Sequence, residues 1–166
     1  MKAISVLCAA MLCASVSHAA VESGLPDSTG HYQNTQTAAT RHDMATADRL
    51  LSDEKYAAAI PVLKRVIGND EVDEIDRSIA YNLRGLSLFM VGRIAEAIDD
   101  FTNSLEIQNR TVLSSDHRWK THFNRGLAYE AANEMAYAAD DFIRAYAMAP
   151  DERRVKAKIY TFFNKR

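Results

Sequence analysis

A chain of 166 residues with 48% apolar content is long enough for one domain with a modest core, or for a short stack of repeats. Its 20 basic and 22 acidic residues leave a net charge of −2, so nothing in the balance points to nucleic acid. The two cysteines, Cys8 and Cys13, both lie near the N-terminus, which excludes disulfide staples, thiol catalysis and cysteine-based metal sites from everything downstream.

The first segment reads as a secretory signal over residues 1–19. Met1 and Lys2 give a positive start, residues 3–16 are apolar, and Ser17-His18-Ala19 places small residues where signal peptidase reads them. An apolar run of about 14 residues falls short of the ~20 that a spanning helix needs, so cleavage after Ala19 is expected rather than anchoring. Leu7 and Leu12 stand before the cysteines where a lipoprotein signal carries a small residue, which argues against a lipid anchor. The mature chain is then expected to be exported, most simply to a bacterial periplasm, with no integral membrane segment.

Residues 20–42 are polar, with Gly24, Pro26 and Gly30 among many Ser, Thr, Asn and Gln, and they read as a flexible tail. From Asp43 onward apolar residues recur at helical spacing, which defines a helical domain over 43–166. The first expected pair covers 43–52 and 54–68, with Pro61 inside its second helix. A second pair covers 74–91 and 94–108, and a third 115–131 and 135–148. The breaks inside these pairs fall on Gly92 and Asn133, the residue types that best tolerate the left-handed conformation closing a helix. Pro150-Asp151 ends the third pair and opens a last helix with Asp151 as its expected cap. That helix carries Val155, Ile159, Phe162 and Phe163 on one side and basic residues on the other, the pattern of a cap for the open end of a stack.

The pairs are copies of one another. Gly85, Ala97, Phe101 and Ser104 recur as Gly126, Ala138, Phe142 and Ala145 with identical offsets, each glycine preceded by Arg and each Phe by Asp-Asp. A degenerate third copy places Ala47, Ala59, Leu63 and Val66 at the same offsets. Such self-similarity marks a stacked-repeat architecture, whose surface usually carries the function. Glycine inside a helix costs about 1 kcal/mol, so close approach of the partner helix is expected at Gly85 and Gly126, with Ala97 and Ala138 facing them.

These units resemble tetratricopeptide repeats, in which glycine or alanine, alanine, an aromatic, alanine and proline recur within a 34-residue unit. Gly126, Ala138, Phe142, Ala145 and Pro150 match throughout; Gly85, Ala97 and Phe101 match in the preceding copy, with Ser104 a small substitute and Asn109 in place of proline. The spacings of 38 and 41 residues exceed the unit, so the turns around 69–74 and 109–116 must be lengthened or their helices extended. The resemblance implies an all-α, right-handed solenoid of about three helix pairs plus a C-terminal capping helix.

The paired acids Asp99-Asp100 and Asp140-Asp141 invite a general acid–base reading, but a catalytic pair is built once whereas a structural device is copied. Ion pairing of Arg84 and Arg125 with Asp100 or Asp141 is the better expectation. The histidines lack metal-ligand spacing, and no phosphate loop, nucleophile elbow or dinucleotide fingerprint occurs, so neither an enzyme nor a cofactor is expected. The acidic stretch Asp70, Glu71, Asp73, Glu74 and Asp76 and the basic end from Arg153 to Arg166 read as solvated faces.

The resemblance also implies a concave groove lined by the first helix of each pair. Its matching positions give Asn82, Leu86 and Phe89 in the second copy, and Lys120, Phe123, Asn124, Leu127 and Glu130 in the third. Asparagine amides can bond an extended peptide backbone and phenylalanines can anchor its side chains. The competing reading, strongest for Leu86 and Leu127, is that they pack the first helices together. The carboxylate clamp known in the family is not supported, because Met44, Asp48 and Leu83 stand at its places and only Lys120 matches. The expected function is a protein-interaction adaptor or scaffold of the cell envelope holding a partner's peptide or helix. The alternative is a structural subunit that assembles with itself.

Overall fold

The computed structural model describes residues 38–111 and 115–164, which form seven helices and no strand. They are α1 (Ala38–Ser52), α2 (Tyr56–Ile67), α3 (Glu74–Met90), α4 (Ile94–Arg110), α5 (Ser115–Ala131), α6 (Met135–Met148) and α7 (Arg153–Phe163). The signal segment and the tail up to residue 37 lie outside the described residues, as do Lys165 and Arg166.

Each pair is closed by the same turn. Gly92 (φ 82°) and Asn133 (φ 63°) take the left-handed conformation expected of them, and Glu54 (φ 58°) takes it in the first pair. The residue after each donates its backbone N–H five residues back: Lys55 to Leu50 (2.7 Å), Arg93 to Leu88 (2.8 Å) and Glu134 to Tyr129 (2.8 Å). This 6→1 bond satisfies carbonyls that a helix end leaves open. The turns lie 38 and 41 residues apart, as the glycines do, so the degenerate first copy is in the expected register.

Burial follows the same register. Ala47, Ala59 and Leu63 are fully buried, as are Ala97 and Phe101, and Ala138, Phe142 and Ala145. What fills the space at the glycines differs from the expectation. A Cβ on Gly85 would stand 2.8 Å from Cε1 of Phe101, and one on Gly126 would stand 2.7 Å from Cε1 of Phe142. The phenyl rings are the nearest groups to the space above each glycine. Burying each ring completely contributes about 1.5–3 kcal/mol, more than the ~1 kcal/mol that a helical glycine costs.

The long spacing is absorbed in two ways. Helices α3, α4 and α5 each reach 17 residues. The connection before α3 folds inward, with Val72 buried in the core formed by α1, α2 and α3. Arg77 pins that connection by donating from Nη2 to the carbonyls of Asn69 (3.1 Å) and Val72 (3.2 Å). Asp73 caps α3, its side chain accepting from the Asp76 N–H at 2.8 Å.

Two boundaries move. Helix α1 starts at Ala38, five residues before the expected Asp43, because Thr40 is buried and accepts a hydrogen bond from Asn69 Nδ2 (3.2 Å). Helix α7 is capped by Glu152 rather than Asp151, which stands almost fully exposed beside Lys156. Pro61 sits within α2 without ending it.

Candidate functional site

Helices α3 and α5 are in direct contact, and they bring the expected groove residues of two copies into one strip. Asn124 Nδ2 donates to Asn82 Oδ1 across this junction at 3.3 Å. Asn124 is buried, and its Oδ1 has no partner among the described residues. Gln108 Oε1 is a second buried amide oxygen without a partner among the described residues.

The remaining six residues fall into two sets. Leu86 and Phe123, each 5% exposed, belong to the core. Phe123 tilts against Phe142 with centroids 5.9 Å apart, so a residue expected as a side-chain anchor is placed as a packing residue. Phe89, Lys120, Leu127 and Glu130 are half-buried. Phe89 and Leu127 rest on the cores of the second and third pairs, and Lys120 lies 5.6 Å from the Trp119 ring. Glu130 pairs with Lys158 of α7, which ties the last helix to the end of the strip.

The repeated ion pairs form as the spacing predicts. Arg84 binds Asp100 through two bonds of 2.7 Å, and Arg125 binds Asp141 through bonds of 2.8 and 2.9 Å. Both carboxylates are buried, so these pairs lock first helix to second inside each repeat. His122 adds a second partner to Asp141, with Nδ1 2.7 Å from Oδ1. Burial drives the Asp141 carboxyl upward, but the hydrogen bonds from His122 and Arg125 outweigh it and hold the group below the ordinary carboxylate value. No repeat pattern marked His122, because the corresponding place in the second copy holds Tyr81, whose ring lies 5.5 Å from the Arg84 guanidinium.

A buried polar seam runs where α3, α4 and α5 meet. Gln108 Nε2 reaches Ser78 Oγ (3.1 Å), Ser104 Oγ (3.0 Å) and Thr121 Oγ1 (3.1 Å), all four residues being almost fully buried. Ser104 is marked as a small residue of the repeat, whereas Ser78, Gln108 and Thr121 read as surface in the sequence. Among the described residues no group of three or more His, Cys, Asp and Glu side chains can hold a metal ion, and no helix is long and apolar enough to cross a membrane.

No protein-family model matches the chain, and the comparison with curated proteins finds no match. Solved structures do resemble it. The second tetratricopeptide-repeat domain of human RPAP3, in complex with the HSP70 peptide SGPTIEEVD, superposes with a TM-score of 0.64 at 17% identity, covering 76% of this chain and 97% of that domain. The first such domain of Spaghetti (RPAP3), bound to the HSP90 peptide SRMEEVD, gives a TM-score of 0.64 at 16% identity, covering 78% of this chain and 94% of the other. At these identities the likeness establishes architecture alone: the chain has the all-α helical-repeat fold of tetratricopeptide-repeat domains.

Proposed function

We propose that this protein is an interaction adaptor that holds an extended peptide segment or helix of a partner along the strip formed by α3 and α5. The observation that carries the reading is the Asn82–Asn124 amide bond across the junction, which joins α3 to α5 and holds the half-buried Asn82 amide in place. Asn82 can bond an incoming peptide backbone, whereas Asn124, 4% exposed, positions it from beneath. Phe89 and Leu127 offer apolar contact, and Lys120 offers a positive charge, while Glu130 is held by Lys158. The two solved structures of this fold named above hold peptides, which agrees with the reading. Leu86 and Phe123 support the strip from beneath.

The compartment is part of the same proposal. The positive start, short apolar run and Ser17-His18-Ala19 support export to a bacterial envelope, with the mature chain starting at Ala20. N-terminal sequencing of protein from the producing cell checks this, and a soluble cytoplasmic species retaining Met1 contradicts it.

Capture of envelope proteins by the full chain tests the binding face. Lys120→Ala is expected to keep the melting midpoint and weaken capture by about 1 kcal/mol or more; Asn82→Ala is expected to weaken capture as much while also costing about 1–3 kcal/mol of stability, because the buried Asn124 amide loses its acceptor. Phe123→Ala is expected to lose about 3–5 kcal/mol of stability instead. Undiminished capture by well-folded Asn82→Ala and Lys120→Ala proteins refutes the proposal.

A further inference from the structure

The charge of this chain is segregated. Residues 151–166 hold six basic and two acidic residues, leaving 14 basic against 20 acidic in the remainder. Most of the basic end is α7, whose inner side packs Val155, Ile159 and Phe162 into the core of the third pair. Its outer face presents Arg153, Lys156, Tyr160 and Phe163, with the Tyr160 ring 70% exposed and Phe163 47%. Two cations, of which Lys156 pairs with Asp151 at 3.2 Å, followed by two exposed aromatic rings make a face that water alone solvates poorly.

A matching surface lies elsewhere on the same molecule. Between the connection before α3, the start of α3 and the end of α4 is an open cavity of about 490 Å³. Val72, Tyr81 and Ile107 give it an apolar floor, and the carboxylates of Asp70, Asp73, Glu74 and Glu106 stand around it. Its two arginines offset only part of that charge: Arg77, held by the carbonyls of Asn69 and Val72, and Arg110, 3.9 Å from Glu74, stand against four carboxylates. Asp70 and Glu106 have no ion-pair partner among the described residues, and neither has Arg153 on the outer face of α7.

We propose that the outer face of α7 docks into this acidic cavity on a second copy of the chain, Tyr160 or Phe163 entering over the apolar floor while Arg153 and Lys156 meet the carboxylates. Helix α7 packs on the third pair and the cavity belongs to the second, so the lining of the cavity includes none of its own α7. A contact between two different surfaces is head-to-tail, and repeats of it give a ring or an open chain. A lipid surface also suits a basic, aromatic helix face, but it leaves the acidic cavity without a role, whereas a second copy accounts for both surfaces. The proposal is independent of the peptide strip on α3 and α5.

Sedimentation velocity of the full chain over a concentration series tests it. Association is expected at low salt and should weaken as salt rises, since exposed charges are screened. Reversing either surface, with R153E/K156E on the helix or D70K/E106K at the cavity, is expected to weaken it on the order of tenfold or more. Tyr160→Ala, a truncation of an exposed ring, supplies a variant that leaves the charges alone and should weaken it as well. The decisive result is a mixture: the two charge-reversed proteins, each monomeric alone, should associate with each other, because intact meets intact and reversed meets reversed. A monomer at every concentration overturns the proposal. So does association untouched by either reversal, or variants that do not rescue one another. Binding of α7 to anionic phospholipid vesicles without self-association overturns it in favour of a membrane-docking face.

Discussion

At Gly126 the smallest possible change is informative. Alanine restores about 1 kcal/mol of helix propensity, yet its Cβ would stand 2.7 Å from one ring atom of Phe142 and 2.8 Å from another. Overpacking of this kind costs about 1–3 kcal/mol, so Gly126→Ala is expected to lower stability in a denaturant melt. Combining it with Phe142→Leu should destabilise less than the two changes summed, because each relieves the strain of the other. A Gly126→Ala protein with a raised midpoint shows that the ring and the glycine do not meet. Asp141 gives a second test. Its folded pKa is depressed, so the stability it contributes is present above the unfolded value of about 3.9 and is lost as pH falls through the folded one. Asp141→Asn leaves Arg125 with a neutral partner in a buried place and should cost about 3–5 kcal/mol at neutral pH. Its stability should also change less than that of the parent between pH 4 and lower values, as followed by circular dichroism.

Between residues and molecule, the helix pair is the unit that the sequence made legible. Gly92 and Asn133 announced their turns because glycine and asparagine accept a positive φ. Glu54 did not, since a glutamate carries no such signal, and it holds φ 58° against its own preference. Glu54→Gly should therefore stabilise the protein by about 1 kcal/mol, a gain visible as a raised melting midpoint. The start of α1 was hidden for a related reason: it is fixed by Thr40, a polar residue buried through a hydrogen bond rather than through apolar spacing. The helices that carry the expected groove residues were legible, but the depth of those residues was not. Family places put Asn82, Leu86, Phe89, Lys120, Phe123, Asn124, Leu127 and Glu130 on α3 and α5, while the burial of Phe123 follows from Phe142 lying against Gly126, a contact that helical periodicity alone does not show.

Across the whole molecule, three apolar clusters are linked by features that differ in kind. Buried ion pairs bind first helix to second within a repeat, and the Gln108 seam joins the second repeat to the third. Helix α7 closes the far end, with Glu130–Lys158 fastening it beside the strip. This arrangement leaves Asn82 and Asn124 side by side on adjacent first helices, which is the basis of the peptide-binding account. Its most direct test is a titration of the full chain with a peptide selected from a random display library, followed by the side-chain amide resonances of Asn82 and Asn124. Shifts of both amides, accompanied by backbone shifts at Phe89, Lys120 and Leu127, are the predicted result. A bound peptide that leaves both amides unmoved, with shifts confined to α6 and α7, contradicts the account.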